Sequence, residues 1–154
     1  MKKSIVLILI ITLSACSSTN TKKIQKPECL TPDYKGFRIE WGYIDNKNNS
    51  TTGYSLNEDM LLQMFIQNSN ETKYDTICYV EPQQLCNALK LYMLETFKIP
   101  VVYESGEQLT FIRLFKPAVD YRSNAIWSKH NTFASTGYRN VFDSLMTLVK
   151  IPEK

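Results

Sequence analysis

Four cysteines and one histidine carry most of the reactive chemistry open to this chain. Cys16, Cys29, Cys78 and Cys86 offer thiols for acylation, disulfide formation or metal binding. Their spacing does not fit a structural zinc site, and His130 adds only one further ligand. His130 could act as a general base for a serine nucleophile. No Gly-x-Ser-x-Gly elbow accompanies it, and a solvated loop after Trp127 is the preferred explanation. Glu104 and Glu107 bracket Ser105-Gly106 and could work as acid and base or hold a cation, although a turn that exposes its charges would carry the same residues. Asp120 and Arg122 flank Tyr121 and could form a polar binding ledge. No EF-hand loop, phosphate-cradling glycine loop or dinucleotide fingerprint is present, and no cofactor is implied.

The amino terminus is more specific. Met1-Lys2-Lys3 is cationic, and Ser4 to Thr12 is almost wholly apolar. That run is too short to cross a hydrocarbon core of ~30 Å, which takes about 20 helical residues. A basic start with a short apolar stretch reads as an export signal. Leu13-Ser14-Ala15-Cys16 follows directly. This order of charge, apolar run, small residues and cysteine resembles the lipobox of bacterial lipoproteins. The resemblance implies cleavage before Cys16, diacylglycerol on its thiol, and acylation of the new amino terminus by a fatty acid such as palmitate. One acyl chain binds a bilayer only marginally at ~0.8 kcal/mol per buried methylene, so three hold firmly. Within the same family an Asp after the lipidated Cys can retain a protein at the inner membrane. Ser17 stands there, which implies the outer membrane, and the absence of a following acidic cluster implies its periplasmic face.

Cleavage would remove Lys2 and Lys3 and leave 139 residues with 16 basic and 15 acidic side chains. A nearly neutral product gives no support for nucleic-acid binding. Lipidation of Cys16 would leave three cysteines in an oxidising compartment, enough for one disulfide and one thiol. A bond between Cys78 and Cys86 fits a strand that turns into a helix. Two buried thiols fit the same positions as well.

The elements that must position these groups follow from periodicity. Residues 1–15 form the expected signal, 16–35 a lipidated, polar, proline-containing tether, and 36–154 one globular domain. Phe37, Ile39, Trp41 and Tyr43 alternate with polar residues, which predicts a strand. Asp45 to Ser50 predicts a turn and Thr51 to Leu56 a returning strand. Residues 57–68 can be read as a short helix capped by Asn57 or Asp59, or as a strand; the tight turn at 68–71 leading into a strand over 73–80 favours the strand. Pro82 opens a helix over 82–96 whose stripe is Leu85, Leu89, Tyr92, Met93 and Phe97. Residues 107–116 are apolar on both faces and predict a central strand, and 119–127 predict an antiparallel one. Ser135 or Thr136 caps a last helix with Tyr138, Val141, Phe142, Leu145, Leu148 and Val149 inward. Eighteen aromatic residues suit either core or a recognition face, with Trp41 and Trp127 assigned to the core.

Strands joined by short turns, with two amphipathic helices, predict an α+β fold: an antiparallel sheet with both helices on one face. The expected function is that of a lipid-anchored envelope protein without catalytic role, whose partners are the membrane and another envelope protein. A periplasmic inhibitor or immunity protein is the alternative, and a small hydrolase using His130 is a third reading. Cys16→Ala should abolish palmitate labelling and move the protein out of the membrane fraction; labelling that persists in the variant would contradict the lipobox assignment.

Overall fold

The period-two run becomes β1 (Arg38–Asp45), and Ser50–Asn57 returns beside it as β2. The computed structural model describes residues 28–128 and 132–149. β3 (Leu61–Gln67) and β4 (Thr72–Tyr79) extend the meander. Helix α1 (Pro82–Lys98) leads to a two-residue β5 (Val102–Tyr103), then β6 (Gln108–Lys116), β7 (Tyr121–Ser128) and helix α2 (Phe133–Met146). The seven strands lie in one sheet in the order β4-β3-β2-β1-β6-β7-β5. All neighbours are antiparallel except β5 and β7. The fold is therefore α+β, as the patterning predicts, and no helix among the described residues is long and apolar enough to cross a membrane.

Within residues 57–68 the chain turns after Asn57 and forms the strand β3 over Leu61–Gln67, and the reason lies in Asn57. Its side-chain oxygen accepts from the Asp59 and Leu61 backbone N–H groups at 3.1 and 3.3 Å. Met60 takes a left-handed φ of 63°. The asparagine thus closes a tight turn instead of starting a helix.

Both helices cover one face. Ile39, Trp41, Leu56, Leu62, Ile112, Leu114, Ala125 and Trp127 meet Leu85, Leu89, Tyr92, Tyr138, Val141, Phe142 and Leu145 in one core. Trp127 stacks on Tyr138 and meets Phe142 edge-on, with ring centroids 6.3 and 6.1 Å apart. Trp41 and Trp127 are both fully buried, as expected. Burial raises the pKa of Tyr92, so its phenol stays protonated and donates to Ser123 Oγ at 2.7 Å.

Several expectations are corrected. Phe97 leaves the α1 stripe and is 90% exposed. It lies five residues beyond Tyr92, about 140° around a helix that turns ~100° per residue, and Ala88 completes the buried stripe in its place. α2 is capped by Thr132, one turn before the expected start: Thr132 Oγ1 accepts from Ser135 N–H and Ser135 Oγ accepts from Thr132 N–H, both at 3.2 Å. Ser135 is the third residue of that capping box. The expected strand over 119–127 starts at Tyr121, because Pro117–Val119 forms a 3-10 turn that ends on Asp120 at φ 48°.

The expected Cys78–Cys86 bond is not formed. Cys86 is joined to Cys29, 57 residues earlier. Cys78 sits on β4 opposite Leu62, beside the bulge between Leu62 and Gln63, while Cys86 lies on the first turns of α1. Part of the stretch 16–35 expected as tether belongs to the fold instead. Leu30 is buried in the core, Pro32–Tyr34 forms a 3-10 turn, and Lys116 Nζ lies 4.3 Å from the centre of the Tyr34 ring. Closing a loop of this length restricts the unfolded chain by about 4 kcal/mol in the chain-entropy model. Cys29→Ser/Cys86→Ser should lower unfolding free energy in urea melts by about 2–4 kcal/mol, whereas Cys78→Ser should cost clearly less. Equal losses in the two variants would contradict this pairing.

Candidate functional site

The sheet face turned away from the helices carries the least expected arrangement. One row of paired residues crosses all seven strands: Tyr74, Phe65, Gly53, Gly42, Phe111, Ile126 and Tyr103. At its centre two glycines face each other on β1 and β2. A Cβ on Gly42 would come within 2.1 Å of the Thr52 carbonyl oxygen, and one on Gly53 within 2.4 Å of the Trp41 carbonyl oxygen. Only glycine permits that approach of backbones. The vacancy above the pair is flanked by Phe65 and Phe111, whose ring centroids are 6.5 Å apart. Both rings are buried although no helix among the described residues covers this face. With Leu109, Ile126 and the half-buried Ile44 they form a second, smaller apolar cluster.

Next to this row the face becomes polar. Glu40 and Ser55 oppose each other and are both buried. Glu40 pairs with Arg38, whose Nε lies 2.9 Å from Oε1. Across β6, Arg113 faces Glu40 and its guanidinium lies 4.5 Å from the centre of the Phe111 ring. Arg38 covers Phe115 at 5.1 Å, and Phe115 is paired with Arg122 on β7. Three guanidinium groups therefore share one end of the face, two of them laid on aromatic rings. Such stacking fixes the plane of the cation and favours two-point contact with carboxylates or phosphates. Two shallow clefts meet at Gly36 and Arg38. One of ≈ 290 Å³ is lined by Phe115, Lys116, Asp120, Tyr121 and Arg122. The other, ≈ 490 Å³, is lined by Ser55, Asn57, Glu58, Gln63 and Tyr74.

The residues singled out in the sequence divide accordingly. Asp120 and Arg122 line one cleft, with Asp120 in the turn before β7 and Arg122 on the strand. Glu104 and Glu107 do not converge on a site. Glu104 Oε2 accepts from the Ser128 backbone N–H at 2.8 Å and its hydroxyl at 2.9 Å, and Oε1 accepts from Thr132 Oγ1 at 2.8 Å. Glu107 gives its backbone carbonyl to Asn46 N–H. His130 and the lipobox residues Leu13, Ser14, Ala15 and Cys16 lie outside the described residues, and no cluster of three or more metal-ligating side chains occurs among the described ones. Sequence reasoning passed over Gly42, Gly53, Arg38 and Arg113. Glycine inside an alternating strand was the available signal, since it marks a close backbone approach.

Glu104 joins the end of β7 to the cap of α2. Partial removal from water raises its pKa, but the Ser128 N–H, the Thr132 and Ser128 hydroxyls and the Arg139 charge outweigh that and hold it below the usual value. The folded carboxyl binds its proton less tightly than the unfolded one. Its stabilisation is complete above the ordinary Glu pKa of ~4.3 and disappears as pH falls through the lowered folded value. Glu104→Gln should therefore be less stable than the parent in urea melts at pH 7, with the gap closing towards pH 3; a gap that stays constant would contradict this role.

No protein-family model matches the chain, and no curated protein matches it; the reading of this face rests on its own geometry.

Proposed function

We propose that this chain is a lipid-anchored protein of the bacterial envelope, held through acylated Cys16 at the periplasmic face of the outer membrane, and that its domain binds another envelope protein without catalysing a reaction. The observation that carries the binding role is the helix-free sheet face, where Phe65 and Phe111 lie beside Arg38, Arg113 and Arg122. An apolar floor bordered by oriented guanidinium groups suits an extended segment with acidic side chains. The export signal and the Leu13-Ser14-Ala15-Cys16 sequence support the anchored location.

A second reading, an inhibitor or immunity protein, is favoured by β4. Among the described residues this strand ends the sheet and pairs only with β3, and it exposes Tyr74 and Tyr79. Its outer edge could accept a strand from a toxin or protease. The two readings separate by site: one depends on the arginines of β6 and β7, the other on the backbone edge of β4.

Arg113→Glu/Arg122→Glu in the full-length lipidated protein should abolish cross-linked recovery of the partner from envelopes, with membrane attachment and thermal melting retained. Undiminished recovery would overturn the sheet-face reading, and loss of recovery on placing proline at Thr76 instead would favour the β4 edge.

A further inference from the structure

α1 has two apolar stripes. The inner one, with Leu85, Leu89 and Tyr92, belongs to the core. The outer one runs along the second half of the helix and past its end: Leu91 is 43% exposed, Leu94 50%, Phe97 90% and Val101 72%. Its first half carries the exposed polar residues Gln83, Gln84 and Asn87, and the exposed Lys90 and Lys98 border the apolar half. Exposed leucines three residues apart, followed by phenylalanine after another three, form a continuous strip on a helix. Nothing among the described residues covers it.

We infer that this strip docks on the lipid surface to which Cys16 tethers the domain. The inference rests on the lipid-anchor reading and adds an orientation to it. The deciding constraint is the length of chain between anchor and fold and the place where it ends. Thirteen residue-to-residue steps, with twelve residues between, separate Cys16 from Cys29. Fully extended they reach at most ~45 Å. Cys29 is bonded to Cys86, on the same helix that carries the strip. At ~1.5 Å per residue Leu91 begins about 8 Å along the helix from Cys86, and Phe97 lies about 17 Å along it. The covalent route from the bilayer thus arrives on the exposed apolar helix itself, and the helix layer lies on the lipid side. The helix-free sheet face, on the opposite side of the sheet, is left pointing away from the membrane and towards a partner. Lys90 sits at the border where a cation meets anionic headgroups, Lys98 stands there paired with Glu95 at 2.8 Å, and Leu91, Leu94 and Phe97 enter the headgroup boundary as an interfacial helix face does.

The test uses the full lipidated chain on vesicles of phosphatidylethanolamine and phosphatidylglycerol with brominated acyl chains. Phe97→Trp places a reporter on the strip, Tyr74→Trp places one on the helix-free face, and the parent chain supplies the background from the buried Trp41 and Trp127. Because an interfacial face sits roughly 5–10 Å into the headgroup–acyl boundary, bromine should quench the added emission of F97W at least about threefold more than that of Y74W. Adding Leu91→Gln and Leu94→Gln should remove the excess without releasing the protein from the vesicles. Chains that float with the vesicles but show equal quenching would overturn the docking and leave the anchor intact. F97W emission shielded from aqueous iodide but not quenched by bromine would mean that a second copy or another protein covers the strip, which also overturns it. A parent chain that fails to float would overturn the anchor and the docking together.

Discussion

The approach of β1 to β2 at Gly42 and Gly53 is the constraint around which the sheet is arranged. Two strands whose backbones come this close leave no room for a Cβ on either, and the space above them belongs to the neighbours Phe65 and Phe111. This lets large rings become buried on a face that neither described helix covers. It also explains why the same face can hold a buried Glu40 beside Arg38 and an Arg113 resting on Phe111. A sheet filled evenly with β-branched residues would pack its helix side equally well but would present a flat polar surface on the other.

The second constraint is covalent. The Cys29–Cys86 bond takes a segment preceding the first strand and fixes it to the helix layer. Leu30 and Tyr34 then add apolar contacts that a polar tether would lack. Together with an acyl group at Cys16, the bond would convert a loose leash into a short one, with its fixed end on α1. On the proposed anchor and docking, the two faces of the sheet would take different tasks: the helix layer would lie near the bilayer and the glycine-centred face would look outward.

Much of the fold could be read from the residues because local pattern and tertiary packing agree there. The alternation from Phe37 to Tyr43, the apolar run from Leu109 to Phe115 and the stripe from Tyr138 to Leu145 each have one way to bury their apolar side. The ambiguities and misplacements arose where local signals compete. Asn57 can cap a helix or close a turn, and only the positive φ at Met60 decides. Phe97 extends the α1 periodicity on paper, but its angle around the axis carries it to solvent. Cys78 and Cys86 are near in sequence, whereas Cys29 is near Cys86 only once the meander is folded. β5 is two residues long and owes its existence to pairing with β7, so it carries no period of its own. The arginine end of the sheet was illegible for a related reason: Arg38, Arg113 and Arg122 come from three strands and meet only through register.

A peptide mass map of the membrane-extracted protein, taken without reduction, tests the central claim most directly. The account predicts an amino-terminal peptide that starts at a triply acylated Cys16, and a separate pair of peptides joined through Cys29 and Cys86. A peptide that retains Met1, or one in which Cys86 is joined to Cys78, would contradict it.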